Sequence, residues 1–388
     1  MPPPAWFHIL EWPVIARVTR MSFGVDHALM QNAMPFARPH HPPRRSSVRS
    51  RINDLSAFLQ DPANWPTGTV PEFIETHASL VFMGGDTVLK LKKSIRIGAL
   101  DLRSVASRHH SCEEEFRLNQ ELAGDMYRRT RPITRHVDGK LALDGRGTIV
   151  DWLLEMRRLP AAQMLDYRLL HGPAPSRKEI HRVCDVMAAF YLRSSPSSEF
   201  GTEYMARWQR EASINACHLA DQKSVIGEAY DPALPEMAIS ALENCRAEIM
   251  KRGALGLIVE GHGDLRPEHV NLGDPPIVFD RLEFDRGLRL ADPYEELNYL
   301  GLGCSLLGTH WIRNALLHWL ADSGLDRPSP ALMNAYSLNR LLTRARLAID
   351  HLLDRHIRTP EKWPRQARQC LSAARRFVHD TPSVWQAP

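Results

Sequence analysis

Long apolar runs are missing from this 388-residue chain. None approaches the roughly 18 residues that a bilayer span needs, so the sequence offers no transmembrane helix. Paired cysteine spacing is missing too. Cys112, Cys184, Cys217, Cys245, Cys304 and Cys370 are scattered with no Cys-x-x-Cys, which argues against a zinc site or a disulfide frame and fits reduced thiols. Nor does one sign of charge dominate: 49 Lys and Arg stand against 45 Asp and Glu, a net charge of +4. Much of that excess sits in His40, His41, Arg44, Arg45, Arg49 and Arg51, so the remainder is close to neutral and nucleic acid is not the expected main partner. The start, Met1-Pro2-Pro3-Pro4-Ala5-Trp6, lacks a charged segment followed by an apolar core. It does not read as a secretory signal, and the cytoplasm is the expected compartment.

What is present is ordinary globular composition, 44% hydrophobic and 24% charged, in a chain long enough for two lobes with sizeable cores. Residues 1–50 show little periodicity and are rich in Pro, Arg and Ser, which predicts a flexible leader. Residues 51–156 read as a short helix, strand-like segments, one prominent helix and more strands. Residues 157–388 are dominated by helical patterns, placed at roughly 176–193, 203–222, 232–252, 293–307, 310–323, 330–354 and 361–378. Only one short segment, 261–285, interrupts them. It begins Gly261-His262-Gly263-Asp264-Leu265-Arg266-Pro267-Glu268-His269 and continues to Val278-Phe279-Asp280. The glycines favour a tight turn that presents Asp264 at a loop end. The apolar run Pro276-Ile277-Val278-Phe279 closes on Asp280, sixteen residues after Asp264.

Two aspartates so spaced suit phosphoryl transfer, in which a protein mainly positions a hydroxyl and neutralises charge. Asp264 would orient the acceptor, with Arg266 near the γ-phosphate as a bidentate fork or else ion-paired with Glu268 or Glu283. Asp280 would hold Mg²⁺ against the phosphates of ATP. A strand lysine must grip those phosphates and pair with a glutamate on the next helix. Thr87-Val88-Leu89-Lys90-Leu91-Lys92 alternates with period two and supplies Lys90, with Lys92, on the same face, and Lys93 as its competitors. Glu115, with Leu118 and Leu122 at plus three and plus seven, lies beside the inward face of its helix. Glu295 and Glu296 are expected to open a helix, where acids favour the dipole, or else to face a cationic substrate.

His262-Gly263-Asp264 with Leu265, the strand ending in Asp280, and the upstream Lys90 resemble the aminoglycoside phosphotransferases, a family of the protein-kinase-like superfamily. Phrases such as Glu75-Thr76-His77-Ala78-Ser79, Cys112-Glu113-Glu114-Glu115 and Met156-Arg157-Arg158-Leu159-Pro160 look like the phosphotransferase half of a bacterial family that also carries a P-loop domain. No Gly-x-x-x-x-Gly-Lys-Ser/Thr occurs here, so that half is not expected. The resemblance implies an α+β, bilobal protein-kinase-like fold with a β-rich N-lobe and a mostly helical C-lobe. It implies a hinge at Met156 and Arg157 whose backbone binds adenine, a structural His262 behind the loop, and a bracing aspartate near Asp292. It also implies an alcohol-group phosphotransferase that takes ATP and a small-molecule hydroxyl substrate.

One departure bears on the metal. The asparagine that kinases place five residues after the catalytic aspartate is His269 here, and Mg²⁺ prefers oxygen. Asn271 or Glu283 supplies the oxygen, or His269 acts through water, or the second metal site is lost. The last possibility motivates an alternative, a nucleotide-binding pseudokinase serving as an interaction module.

Overall fold

The structure, a computed structural model, describes residues 45–97, 100–196, 199–353 and 359–379. Residues 1–44 of the expected leader lie outside the described residues. From Arg45 onward the chain is helical, six residues ahead of the predicted N-lobe start. Within the described residues, 45–112 and 129–158 form one compact unit, and 113–128 with 159–379 form a second. The predicted boundary at 156/157 falls two residues from the observed one. The departure is 113–128, most of the prominent helix and the short turn after it, which cluster with the second unit.

In the first unit α1 (Arg45–Gln60) precedes β1 (Glu72–Glu75), β2 (Ser79–Gly84), β3 (Thr87–Lys92), the small ladder β4 (Arg96–Ile97) and β5 (Leu100–Asp101), and the first part of α2 (Val105–Ala123). It resumes with β6 (Tyr127–Arg135), β7 (Leu141–Leu143) and β8 (Thr148–Arg157). Six strands make one sheet in the order β1-β2-β3-β8-β6-β7. The neighbours of β3 run antiparallel to it, with Lys90 opposite Val81 on one side and Leu154 on the other. Alternation divides β3 as expected. Leu89 and Leu91 pack with Leu80, Phe82, Leu153 and the α1 residues Leu55 and Leu59, so Lys90 and Lys92 project from the opposite face. Trp65 closes that core, and its indole N–H donates to the Leu59 carbonyl at 2.7 Å. The early part of α2 is tied to the sheet by Arg108, whose guanidinium donates to both oxygens of Asp151 at 2.8 and 2.7 Å.

The second unit is helical: α3 (Leu165–His171), α4 (Arg177–Arg193), α5 (Phe200–Asp221), α6 (Lys223–Ile226), α7 (Ala233–Asn244) and α8 (Arg246–Ala254). The interrupting segment then holds β9 (Val259–Glu260), β10 (Val270–Asn271), β11 (Ile277–Val278), α9 (Arg286–Arg289) and β12 (Leu290–Ala291). Three helices of 12 to 21 residues, α10 (Pro293–Leu306), α11 (Trp311–Asp322) and α12 (Pro330–Asp350), lead to α13 (Lys362–His379). The seven predicted helices fall on these elements, except that 232–252 is broken at Cys245 into α7 and α8. Capping sets several starts. Ser176 and Glu179 form a reciprocal capping box on α4, while Ser329 and Asp292 cap α12 and α10, each with Pro next. The core joins Met187, Tyr191 and Trp208 to Leu265, Val278, Tyr294, Leu297 and Tyr336, so the interrupting loop is packed into the helical unit by its own apolar residues. Among the described residues no helix is long and apolar enough to cross a membrane. All six cysteines are free, five of them buried.

Candidate active site

The segment from Glu260 to Asp280 is anchored almost entirely by buried side chains. The His262 and Gly263 N–H groups donate to the Glu296 carboxylate at 2.9 and 2.7 Å, and the Tyr191 hydroxyl donates to the same carboxylate at 2.9 Å. Glu296 is fully buried. Burial pushes its carboxyl up, against the pull of the His262 and Gly263 N–H groups. A glycine at 261 makes this possible, since a Cβ there would sit 2.6 Å from the Glu296 carboxylate. Gly263 has a different reason: its φ of 92° lies in the left-handed region, where a side chain is strained. Glu295 and Glu296 thus do open α10, but both are buried structural anchors rather than solvated dipole partners. Glu295 binds Arg340 through Nε and, at 3.1 Å, through Nη2.

Asp292, the residue near which a bracing aspartate was expected, does not touch this loop. It caps α10 and accepts from Arg252 at 2.5 and 3.0 Å and from the Tyr336 hydroxyl at 3.2 Å. Glu296, one turn further on, takes the bracing task. Sequence reasoning missed it because its pattern, two acids after a Pro, is also that of an ordinary helix start.

His262 is fully buried and structural. Its Nε2–H donates to the Phe279 carbonyl at 2.8 Å, and Nδ1 accepts from the Asp264 N–H at 3.3 Å. Burial, and then the neighbouring His269, push its imidazole down to about 3; it is therefore neutral, as one donor and one acceptor require. It ties the loop of Asp264 to the strand that delivers Asp280. Arg281 adds a second tie, donating to the carbonyls of Gly261 and Glu260 at 2.8 and 2.9 Å and to Glu121 at 2.6 Å. Asn119 on α2 receives the Arg281 N–H at 2.8 Å and donates back to the Arg281 carbonyl at 3.2 Å.

Asp264 is buried yet lines a cavity of about 290 Å³ within the helical unit. Its carboxylate accepts from the Tyr299 hydroxyl at 3.3 Å. Arg266 lies beside it with Nε 2.9 Å from Oδ2, off the hydrogen-bond line, and reaches Glu268 at 2.6 Å. Of the alternatives for Arg266, the ion pair with Glu268 is formed, and Asp264 is an additional partner. Burial alone would raise the Glu268 carboxyl, but Arg266, helped by Arg344, holds it down at about 2.

His269 stands where the asparagine was expected. Its Nδ1–H donates to the Asp264 carbonyl at 2.7 Å, which leaves Nε2 facing Arg266 Nη2 at 3.4 Å and Asp280 Oδ2 at 3.7 Å. Asn271 is buried and locally employed: its Oδ1 accepts from the Gly273 N–H at 3.0 Å and its amide points to the Met164 sulfur. Asp280 has a φ of 64°, unusual for a non-glycine residue, and its N–H donates to the Tyr127 hydroxyl at 3.3 Å. Burial, and then the charges of Glu115 and Asp280, push the Tyr127 phenol well above its ordinary range. Among the described residues no three His, Cys, Asp or Glu side chains form a group that could hold a metal ion. Of the three expected metal-site residues, Asp280, His269 and Asn271, only Asp280 is a carboxylate, the ligand type that Mg²⁺ accepts alongside phosphate oxygens and water.

The remaining nucleotide candidates are distributed over both units. Lys90 and Lys92 are buried on β3, and Met156 and Arg157 pair with Val88 and Thr87 at the end of β8. Glu115 is buried on the part of α2 that belongs to the helical unit, and its carbonyl accepts from Asn119 at 2.9 Å.

No family model matches the chain. Uncharacterized proteins of Mycobacterium tuberculosis and Mycobacterium bovis are 27% identical over 280 residues, 70% of this chain. The chain spans about half the length of these curated relatives, 53%. Among solved structures, spectinomycin phosphotransferase APH(9)-Ia in complex with ADP and spectinomycin is 10% identical with a TM-score of 0.48, covering 80% of this chain and 93% of that one. A choline/ethanolamine kinase family protein from Mesorhizobium loti is 12% identical with a TM-score of 0.36, covering 86% and 99%. Likeness at that level assigns no activity. What the structure gives directly is an α+β chain, a six-stranded antiparallel sheet and one long helix followed by a helical unit, the element order that the resemblance to the aminoglycoside phosphotransferases implies.

Proposed function

We propose that the protein is a phosphotransferase that moves the γ-phosphoryl group of ATP to a hydroxyl on a small molecule. The observation that carries this reading is Asp264, a buried carboxylate on a loop braced by Glu296 and His262 that opens onto a cavity large enough for a small ligand. In this reading Asp264 accepts a hydrogen bond from the acceptor hydroxyl, orients it, and takes its proton as the bond from that oxygen to the γ-phosphorus forms and the bond from the γ-phosphorus to the bridging oxygen breaks, with ADP leaving. Tyr299 fixes the carboxylate. Arg266 would turn part of its charge to the transferring group. Lys90 or Lys92, with Glu115 to position it, would hold the phosphates, and Met156 and Arg157 would offer backbone to adenine. Mg²⁺ held by Asp280 would supply charge neutralisation at the phosphates, with His269 and Asn271 in its surroundings. ATP consumption, followed by ADP release over a panel of hydroxylated metabolites, tests the reading; no turnover with any acceptor and no ATP hydrolysis would overturn it.

A specific observation favours the second reading, a nucleotide-binding pseudokinase. His269 places an imidazole nitrogen 3.7 Å from Asp280, where an oxygen ligand was expected. A thermal-shift titration separates the two. A shift with ATP that depends on Mg²⁺ or Mn²⁺ supports a working metal site, and a shift indifferent to metal supports the module.

A further inference from the structure

The cavity beside Asp264 is built from α3, the loop 264–268, α10, α12 and α13, and its charges favour a particular class of occupant. Five cationic side chains line it, Arg266, Arg340, Arg344, Lys362 and Arg365, against three carboxyls, Asp166, Asp264 and Glu268. Arg266 and Arg340 are neutralised by close carboxylates. Arg266 is held between Asp264 and Glu268, and Arg340 is paired with Glu295 while stacking its guanidinium 4.4 Å from the Tyr299 ring centre. Arg344, one turn beyond Arg340 on α12, is half-buried and, among the described residues, has no hydrogen bond and no ion pair within 4 Å. It still acts on the Tyr299 phenol, which burial pushes up to about 12 against the pull of Arg344. The same Tyr299 hydroxyl touches Asp264, so Arg344 and the proposed hydroxyl-orienting carboxylate serve one pocket.

The acidic side of the cavity is weaker than its residue count. Asp166 is buried, and its Oδ1 lacks a partner among the described residues. Burial, and then the Glu268 charge, raise its carboxyl to about 7, so near neutral pH its protonated form, a donor as well as an acceptor, is populated alongside the carboxylate. Leu302, Leu306, Leu341 and Leu347 complete the wall. Among the described residues neither Arg344 nor Arg365 has an ion pair within 4 Å, and Glu268, which acts on Arg344 from farther off, is already paired with Arg266; a polycation would meet this excess of positive charge, whereas an anion would give the Arg344 guanidinium a close partner.

We propose that the acceptor is a small hydroxylated anion, a carboxylate or phosphate ester whose charged group is held by Arg344, with Asp166 bonding a second polar group and Asp264 facing the hydroxyl. This rests on the phosphotransferase reading above, for which it names the substrate class.

The test uses the full chain and three probes without nucleotide: gluconate, glycerol 3-phosphate and kanamycin, followed by thermal shift and calorimetry. Binding of gluconate or glycerol 3-phosphate but not kanamycin is expected, and which anion binds distinguishes carboxylate from phosphate. Arg344→Glu should weaken anion binding by at least about tenfold, the effect of losing a charge-assisted contact, and Arg344→Lys should restore part of it. Kanamycin binding in preference to both anions, equal anion affinity in Arg344→Glu, or no binding of any probe to 10 mM (a concentration on the order of a weak fragment's Kd) would overturn the proposal. If Arg344→Glu melts early, Arg344→Gln carries the same expectation. ATP turnover with the acceptor panel is measured in parallel: no turnover with any acceptor and no ATP hydrolysis would sink the phosphotransferase reading while leaving the anion-binding result to stand or fall separately.

Discussion

Within the helical unit, the loop that carries Asp264 and the cavity wall that faces it treat their polar groups in opposite ways. Along the loop, the N–H groups of His262 and Gly263, both nitrogens of His262, the carbonyls of Gly261 and Glu260, and Nδ1 of His269 all have short partners. In the wall, among the described residues, Asp166 keeps an oxygen without a partner and Arg344 keeps its guanidinium without a hydrogen bond or a close ion pair, Glu268 acting on it only from beyond 4 Å. A fold left to stability alone satisfies buried polar groups. The contrast therefore separates a scaffold whose backbone groups are tied down by hydrogen bonds from a surface whose bonds are completed by something else.

The comparison can be broken in four places. The largest effect is expected at Asp264: Asp264→Asn should lower turnover on the order of 10³-fold, the scale of a lost general base, while ATP still stabilises the protein in a thermal shift. Turnover near that of the wild type would remove Asp264 from the chemistry. On the scaffold side, Glu296→Ala leaves the His262 and Gly263 N–H groups and the Tyr191 hydroxyl unpaired in the interior. At roughly 1–3 kcal/mol per orphaned group, urea unfolding should show a loss of about 3 kcal/mol or more; a loss under about 1 kcal/mol would mean the loop is braced elsewhere.

Gly261→Ala attacks the same brace through space alone. Its Cβ would crowd the Glu296 carboxylate at 2.6 Å, and overpacking of this kind costs about 1–3 kcal/mol, read from the same unfolding curve. Glu296→Ala and Gly261→Ala together should cost less than their sum, since they disturb one contact.

The smallest effect belongs to the wall and depends on pH. The folded-state pKa of Asp166, about 7, lies above its ordinary 3.8, so the folded protein holds this proton more tightly than the unfolded chain. That stability is fully present below about pH 4 and is lost as pH rises through 7, at most roughly 1.4 kcal/mol per pH unit. Melting temperature should therefore fall between pH 5 and 8. Asp166→Asn should flatten that slope and exceed the wild type at pH 8; parallel curves would mean that Asp166 is solvated and not part of a polar cavity wall.

Much of the architecture was legible in the sequence because it rests on local patterns. Period-two alternation places β3 over Thr87–Lys92, and the seven helical patterns fall on α4 through α13 with a single break at Cys245. The prominence of Asp264 and Asp280 came from glycine placement and from an apolar run, again local signals. His262 was assigned its structural place by resemblance, and its two hydrogen bonds agree. What the sequence misassigned were contacts over long separations. Glu296 meets Gly263 across 33 residues, and Asp292 meets Arg252 across 40; nothing in the spacing of either acid distinguishes a loop brace from a helix cap.

The sequence by itself determined the elements and the two aspartates, because side-chain periodicity and glycine's freedom act within a few residues. Only the tertiary structure decided the electrostatics of the pocket. Arg266, Arg340 and Arg344 are equivalent letters in the chain. Packing gave the first two close ion pairs and, among the described residues, left the third beside the cavity without one, because charge becomes binding capacity only when a fold withholds a close partner.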